Sequence, residues 1–303
     1  MSAAIESYKK LIQAGDLPPL SQIGLEISRL GERDDLSASE LARLISKDPA
    51  LAAKVLRIAN SPFYGLRTQV KTLDHAIMVL GQISIVSICA AFTLLGALKM
   101  PQAIGHQRYE SHALRSHSVL TAILARWLAQ RFASPHVPVA DSFLGGLLHD
   151  IGELGIAVYY GKHLEAIRQY EQEHPDVACY QAEHTILGFD HQELGAEVLS
   201  YWHLPHLYIE MTRHHHDAAY AVDAGEGMMV ALVQAADRLA VVLKDGVGAL
   251  GTSGQGQQED FHEPLHSAIS TIQGVPPGIV DKLEKDIGRI LEEAKAMAEQ
   301  SGA

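Results

Sequence analysis

The chain has 303 residues, and 47% of them are hydrophobic, which is enough apolar material for one large domain or two lobes with a sizeable core. Its 36 acidic residues outnumber the 24 basic ones and give a formal net charge of -12. That balance argues against the broad positive surface that binding to nucleic acid or to an anionic membrane requires. We therefore expect neither nucleic acid nor a membrane among the partners.

Cysteine usage and the apolar stretches indicate the compartment. Cys89 and Cys179 are far apart and lack the CxxC spacing of a zinc site, so no disulfide framework is expected. The N-terminus has no apolar core of a secretion signal, and the apolar stretch over residues 83–98 is interrupted by serine, threonine and glycine. We predict a cytoplasmic protein in which this stretch is a buried core helix.

The first third of the chain shows short, well-capped helices and no alternating apolar strands. An amphipathic helix is predicted over residues 1–14, and the double proline in LPPL at 17–20 separates it from the next unit. Ser37 and Glu40 form the S-x-x-E capping box of a further helix, and Asp48, followed by proline, begins another. This pattern predicts an all-α fold, with a helical N-terminal lobe packed on a second helical lobe.

Composition also predicts where the parts of the chain begin and end. A polar stretch with proline and glycine at 101–110 separates two lobes, and a stretch rich in glycine, serine and glutamine follows the second lobe. The predicted parts are an N-terminal helix at 1–14, lobes at 15–100 and 101–245, a flexible linker or loop at 246–261, and a C-terminal helical segment at 262–303. We expect the apolar stripe of the last helix, over 277–299, to dock on the same chain.

The most informative stretch for chemistry is LLHDIGELGI at 147–156, in which His149 and Asp150 stand side by side in an apolar helical run. An imidazole and a carboxylate that turn towards one point suit a divalent metal ion, and the carboxylate can bridge to a second ion. Five histidines and two aspartates on segments of helical periodicity form the candidate ligand set: His117, His149, Asp150, His191, His215, His216 and Asp237.

Two interpretations of this set remain open. It is either a centre for one or two divalent ions or a group of buried, hydrogen-bonded histidines that hold the lobe together. The mixture of nitrogen and oxygen ligands suits iron, manganese, zinc or nickel. Because imidazole must be neutral to bind metal, affinity is expected to fall below about pH 6.5. His184, His203, His206 and His214 are predicted to be solvated rather than ligating.

Several long motifs occur in an order that resembles the HDOD domain (HD-related output domain) family of bacterial signalling proteins, over residues 15–245. The resemblance implies an all-α domain that acts in signal output, usually without a demonstrated reaction. The motifs that carry it are LPPL at 17–20, KDPALAAKVLRIANSPFYG at 47–65, A-I-x-x-L-G at 76–81, EHTILGFDHQELGAEVLSYWHLP at 183–205 and RHHHDA at 213–218.

HDOD domains are similar in turn to the HD and HD-GYP metal-dependent phosphohydrolases. The two-metal pattern of that group is complete here, at the seven positions named above. Three departures oppose hydrolysis: Glu153 replaces the catalytic lysine, Ala113 replaces an expected acid, and no Gly-Tyr-Pro follows RHHHDA. A phosphodiester would lose a cationic contact and meet a negative charge at Glu153.

The sequence therefore favours a non-enzymatic signalling module that acts through contacts with another signalling protein, with a metal in a structural role. One alternative is a metal-dependent phosphohydrolase or phosphodiesterase, which the complete ligand set supports and Glu153 opposes. The other is a sensor of a nucleotide or cyclic dinucleotide. No catalytic residue is assigned, and the sequence identifies neither the partner nor the oligomeric state.

Overall fold

The structure, a computed structural model, is all-α. No strand occurs among the residues that it describes, which confirms the predicted fold class. The described residues are 26, 37–60, 68–82, 85, 86, 88, 89, 111–132, 139–202, 204–217, 220, 226–250, 262–270 and 276–301. The predicted helix at 1–14 and most of the predicted core helix at 83–98 lie outside them.

The chain forms two compact units, one of residues 1–99 and 197–206 and the other of residues 100–196 and 207–303. The break after residue 99 lies beside the predicted boundary between the lobes. Residues 197–206, in contrast, were placed by the sequence in the second lobe and belong to the first unit. The C-terminal segment belongs to the second unit.

Local capping residues determine where the helices of the first unit begin. The Ser37 side chain accepts a hydrogen bond from the Glu40 amide, and the Asp48 side chain caps the next helix, as predicted. Asn60 closes the turn after that helix by exchanging two 2.7 Å hydrogen bonds with the backbone of Val70. The helices of this unit are α1 (Ala38–Ile45), α2 (Pro49–Ala59) and α3 (Leu73–Leu80), and α3 packs on both others.

The second unit contains the candidate ligands and most of the described helices. Its elements are α4 (Ser111–Phe132), α5 (Val139–Leu148), α6 (Ile151–Tyr159), a short 3-10 turn (Gly161–His163), α7 (Leu164–Glu173), α8 (Cys179–Leu187), α9 (His191–Tyr201, which continues into the first unit), α10 (His206–His214), α11 (Glu226–Leu250), α12 (His262–Ile269) and α13 (Ile279–Ser301). None of the described helices combines the length and apolarity that a membrane crossing requires.

Helix α4 is the centre of the second unit, because α5, α11 and α13 all pack against it. The final helix, α13, docks on α4 as its apolar stripe predicted, and polar pairs fix its position. Arg126 contacts Glu293 at 2.8 Å, and the Trp127 indole N–H donates to Asp286 at 2.9 Å.

Helix α11 is longer than the sequence indicated. It runs to Leu250, so residues 246–250 of the predicted linker are helical. Residues 251–261 of that linker lie outside the described residues.

Two glycines bring α6 and α9 into backbone contact. A Cβ atom on Gly152 would collide with the carbonyl of His191, and one on Gly195 would lie 3.1 Å from the Gly152 nitrogen. Because larger side chains would separate the helices, these glycines place the start of α9 beside the start of α6.

Candidate metal centre

The seven predicted ligand residues lie together in the second unit. His117 projects from α4, His149 and Asp150 lie between α5 and α6, His191 begins α9, His215 and His216 follow α10, and Asp237 lies within α11. The sequence identified them by residue type and by their match to the HD-GYP pattern, and the fold brings them together in two adjoining groups.

The apolar surroundings of His149 and Asp150 predicted that the pair lies inside one helix. The structure shows that it does not. Helix α5 ends at Leu148 and α6 begins at Ile151, so the pair forms the turn between them. Asp150 occupies the N-cap position of α6, yet its side chain makes no capping hydrogen bond. Successive side chains of a continuous helix diverge by about 100°. The helix break therefore allows both side chains to face the cluster.

The cluster consists of two groups, in each of which the potential ligand atoms lie within 4.8 Å of one another. We name them by composition. The imidazole half is Asp150, His191, His215 and His216, and the carboxylate half is His117, His149 and Asp237.

Asp150 links the two halves through its two oxygens. Oδ2 lies 3.3 Å from His117 Nε2 and 3.2 Å from His149 Nε2. Oδ1 lies 3.2 Å from His215 Nε2 and 3.7 Å from His191 Nε2. A carboxylate in this position contributes one oxygen to each half.

Hydrogen bonds behind three of the histidines fix which ring nitrogen faces the cluster. The Nδ1 atoms of His149 and His215 lie 2.8 Å from the Gly146 carbonyl and 2.7 Å from the Thr212 carbonyl. His191 Nδ1 lies 2.6 Å from the Glu183 carboxylate. Carbonyl and carboxylate oxygens accept, so Nδ1 carries the hydrogen, and Nε2 faces the cluster with a lone pair whenever the ring is neutral.

The distances between these nitrogens fit ligands of one ion. His191 Nε2 and His215 Nε2 are 3.2 Å apart. Two ligands bound at about 2.1 Å in tetrahedral or octahedral geometry are separated by about 3.0–3.4 Å. Without a cation, two lone pairs at this distance repel unless one ring takes up a proton.

Several buried polar atoms of the cluster make no hydrogen bond to any described residue. They are His149 Nε2, Asp150 Oδ1 and His216 Nε2. Buried polar atoms normally have partners, because an unsatisfied one costs about 1–3 kcal/mol. The donor set and its unsatisfied atoms therefore fit a divalent metal ion.

The pKa values of the carboxylate half are coupled through contacts between histidine and carboxylate. Burial disfavours the charged imidazole of His117, but hydrogen bonds to Asp150 and Asp237 outweigh burial and raise its pKa to about 9. The pKa of His149 is also raised, since the same carboxylates outweigh its burial. Burial opposes ionisation of Asp150 and Asp237, yet the adjacent histidines hold both pKa values well below the usual range.

The imidazole half is different. Burial lowers the pKa of His215 and of His216, and neighbouring histidines lower both further. His191 is the exception, because the Glu183 carboxylate outweighs its burial and raises its pKa to about 9. Two of the three histidines in this half are thus neutral at physiological pH, which is the state that binds metal.

Among the described residues of the cluster, the histidines differ in their access to solvent. The side chains of His149, His191 and His215 have no solvent exposure, whereas those of His117 and His216 are 13% and 20% exposed. The Tyr180 ring stacks on His216 with a centroid distance of 5.2 Å. An external ligand would therefore approach beside His117 and His216.

Glu183 was not among the residues that the sequence predicted for the site. This residue has no solvent exposure and contacts His191 from behind the cluster. A carboxylate oxygen of Glu153 lies within 4.8 Å of a Glu183 oxygen and a His191 ring nitrogen, and Glu153 is also buried. The signals in the sequence were the position of Glu183 eight residues before a predicted ligand and its place at the start of the motif over 183–205.

The other histidines differ in exposure. The side chain of His184 is 59% exposed and His206 is exposed, as predicted. His214 is only 24% exposed, because its ring packs on Tyr220 at 4.3 Å. His203 lies outside the described residues.

Comparison with known proteins places these features in context. The profile of the HDOD domain family matches residues 17–218. An uncharacterized protein of Treponema pallidum (strain Nichols) is 27% identical over 206 residues, which cover 68% of this chain and 39% of that protein. The chain thus spans about two fifths of the length of this curated relative.

Two solved structures resemble the fold over nearly the whole chain. The crystal structure of an HDOD domain protein of unknown function from Geobacter sulfurreducens has a TM-score of 0.67 and 25% identity, and 97% of each chain is covered. A Shewanella amazonensis protein provisionally assigned as a phosphohydrolase has a TM-score of 0.71 and 22% identity, with 98% of each chain covered. The second likeness is one of fold.

Proposed function

Because this chain belongs to the HDOD domain family, we propose that it is a signal-transduction module that acts through protein–protein contacts and holds divalent metal in a structural role. The metal would be bound by the seven residues of the imidazole and carboxylate halves. The signalling partner is a protein, and the helical surface of the domain would provide the contact.

The observation that carries the metal assignment is the convergence on Asp150 of three imidazole Nε2 atoms whose rings are fixed by acceptors behind them. Such acceptors behind a ligand set the tautomer and orientation of metal-binding histidines. The ligands come from separate helices, so binding would stabilise the second unit by tying those helices together.

The structural role is supported by the burial of the cluster and by the residues that replace catalytic groups. Glu153 stands where the related hydrolases have a lysine and is only 2% exposed, so it neither contributes a cation nor meets a substrate at the surface. Three of the ligand histidines are closed to solvent. Phosphoryl transfer depends on positive groups placed around the transferred oxygens.

A metal-dependent phosphohydrolase is the second candidate, favoured by the completeness of the seven-residue set and by its accessible edge at His117 and His216. The related Shewanella protein carries that provisional assignment. A bound divalent ion supplies Lewis acidity, which acidifies water and polarises a phosphoryl oxygen. The protein would contribute orientation of the ligands and exclusion of bulk water.

The deciding experiment is elemental mass spectrometry on protein purified without a metal-binding tag, followed by phosphodiester and nucleotide assays on the metal-loaded protein. About one or two ions per chain, with no turnover, would support a structural metal. Turnover that disappears in His149→Ala would favour the hydrolase. Tight binding of a nucleotide or cyclic dinucleotide without turnover would favour a sensor. A folded protein without metal would overturn the metal assignment.

A further inference from the structure

Glu183 is a buried carboxylate that the proposed ligand set does not include. It lies on α8, has no solvent exposure, and faces the first residue of α9. One of its oxygens, Oε2, accepts from the His191 amide at 2.9 Å and contacts His191 Nδ1 at 2.6 Å. A single carboxylate oxygen therefore holds both the backbone and the ring of one candidate ligand.

The connection between α8 and α9 makes this double contact possible. Gly188 ends α8 in the left-handed region with φ 79°, which reverses the chain within a few residues. Asp190 then caps α9 by accepting from the Glu193 amide at 2.9 Å. The cap thus satisfies another amide of the first turn, and Glu183 is left to act on His191 itself.

The contact with Glu183 determines which nitrogen of the His191 ring is available to a metal ion. With Nδ1 donating to a carboxylate, Nε2 is the atom available to the cluster, 3.2 Å from His215 Nε2 and 3.7 Å from Asp150 Oδ1. A carboxylate acceptor also makes the ligand nitrogen more basic than a carbonyl acceptor does. His149 and His215 have backbone carbonyls in the same place, so His191 is the histidine of these three that is oriented by a side chain.

We propose that Glu183 is a positioning residue of the metal centre, which holds His191 with Nδ1 protonated and Nε2 directed at the bound ion. The effect of Glu183 on metal affinity rests on the proposed function. Its hydrogen bond to the His191 ring is expected in the metal-free protein as well. Removing it should weaken metal binding without removing a ligand.

The test compares Glu183→Ala and Glu183→Gln with the matched control Glu193→Ala. Glu193 lies at the same helix start, where its carboxylate contacts the Asp190 amide and the His184 ring. We expect Glu183→Ala to lower metal affinity by about 10–100-fold, and Glu183→Gln, which keeps an acceptor, to lower it less. Glu193→Ala should leave affinity unchanged. The absorption spectrum of the Co²⁺-substituted protein reports the ligand geometry directly.

A second measurement works without metal. Nitrogen-15 NMR of histidine-labelled, metal-free protein should show a slowly exchanging Nδ1–H of His191, assigned by its absence in His191→Asn. The signal should vanish in Glu183→Ala and persist, shifted, in Glu183→Gln. A folded Glu183→Ala protein with unchanged affinity, or with this N–H unchanged, would overturn the proposal. If the wild type binds no metal but the signal behaves as expected, the metal assignment fails and the hold of Glu183 on His191 stands.

Discussion

The two halves of the cluster offer similar atoms to a metal ion but hold different numbers of protons. In the carboxylate half, Asp150 and Asp237 raise the pKa of both His117 and His149. In the imidazole half, burial and mutual repulsion lower the pKa of His215 and His216. The carboxylates that would attract a cation thus also keep protons on the neighbouring rings.

This difference in protonation implies that the two halves bind metal ions with unequal affinity. An ion entering the imidazole half displaces a proton mainly from His191, whereas one entering the carboxylate half displaces protons from His117 and His149. At neutral pH we expect the imidazole half to fill first. In the metal-free protein the protonated rings neutralise the buried carboxylates, so the lobe has a second way to balance its charge.

The largest effect is expected from Asp150→Ala, which removes the residue shared by both halves. Both ions should be lost, together with the stabilisation they provide, which is about 4 kcal/mol for each ion when free metal exceeds its Kd a thousandfold. Elemental mass spectrometry and thermal unfolding with and without metal measure this. Asp141→Ala is the control, because Asp141 bonds Tyr208 in the same unit. Retention of one ion by Asp150→Ala would show that the halves are independent.

The pH dependence of affinity should separate the halves. From the sequence, affinity was expected to fall below about pH 6.5, but the raised pKa of about 9 for His117 and His191 moves that onset upwards. Each displaced proton lowers affinity by about tenfold per pH unit. Calorimetry with Mn²⁺ between about pH 6.5 and 8.5 should give two affinities that diverge as pH falls. Equal slopes of log affinity against pH would contradict the predicted difference between the two halves.

The stability of the metal-free protein should fall as pH rises, whereas metal affinity should rise. A histidine whose pKa is raised on folding stabilises the folded state. Its contribution is complete when the pH is below the pKa in the unfolded state, about 6.5, and is lost as pH rises through the pKa in the folded state. For His117 and His191 the folded value is about 9. The free energy of unfolding in chelator should therefore fall by a few kcal/mol between about pH 6.5 and 9.5.

Asp150 and Asp237 do not mask this trend. Their lowered pKa values stabilise the fold above the unfolded value of about 3.9 and lose that contribution only in acid. Urea titrations of wild type and His117→Gln, both in chelator, check the prediction. The variant should lose part of the alkaline fall, and a flat wild-type profile would show that the rings are neutral in the metal-free state.

Features that depend on neighbouring residues were predictable from the sequence. The caps at Ser37 and Asp48 are set by side chains within a few residues of each helix start. All seven candidate ligands were named because residue type and order are visible in the sequence.

Features that depend on how helices meet were not predictable. No proline or other helix breaker at His149 and Asp150 marks the break between α5 and α6 in the sequence. That the break turns both side chains towards the cluster is visible only in three dimensions. Glu183 reaches His191 only because the chain reverses at Gly188. The sequence placed Glu153 where a substrate would meet it, whereas packing buries its carboxylate near Glu183.

The smallest effect should come from Gln234→Ala, which acts on the turn that presents His215 and His216. The Gln234 amide donates to the carbonyls of His214 and Asp217, each at 2.8 Å, so it clamps the backbone on both sides of the pair. Its loss removes one of two donors from each carbonyl, since the Asp217 and Tyr220 amides still donate to them at 3.0 and 3.1 Å, and should cost about 1–2 kcal/mol. We expect weaker binding in the imidazole half alone, measured by Mn²⁺ calorimetry. Gln169→Ala, whose bond to Glu173 is exposed, is the matched control. An equal loss in both halves would mean that the turn supports the whole cluster.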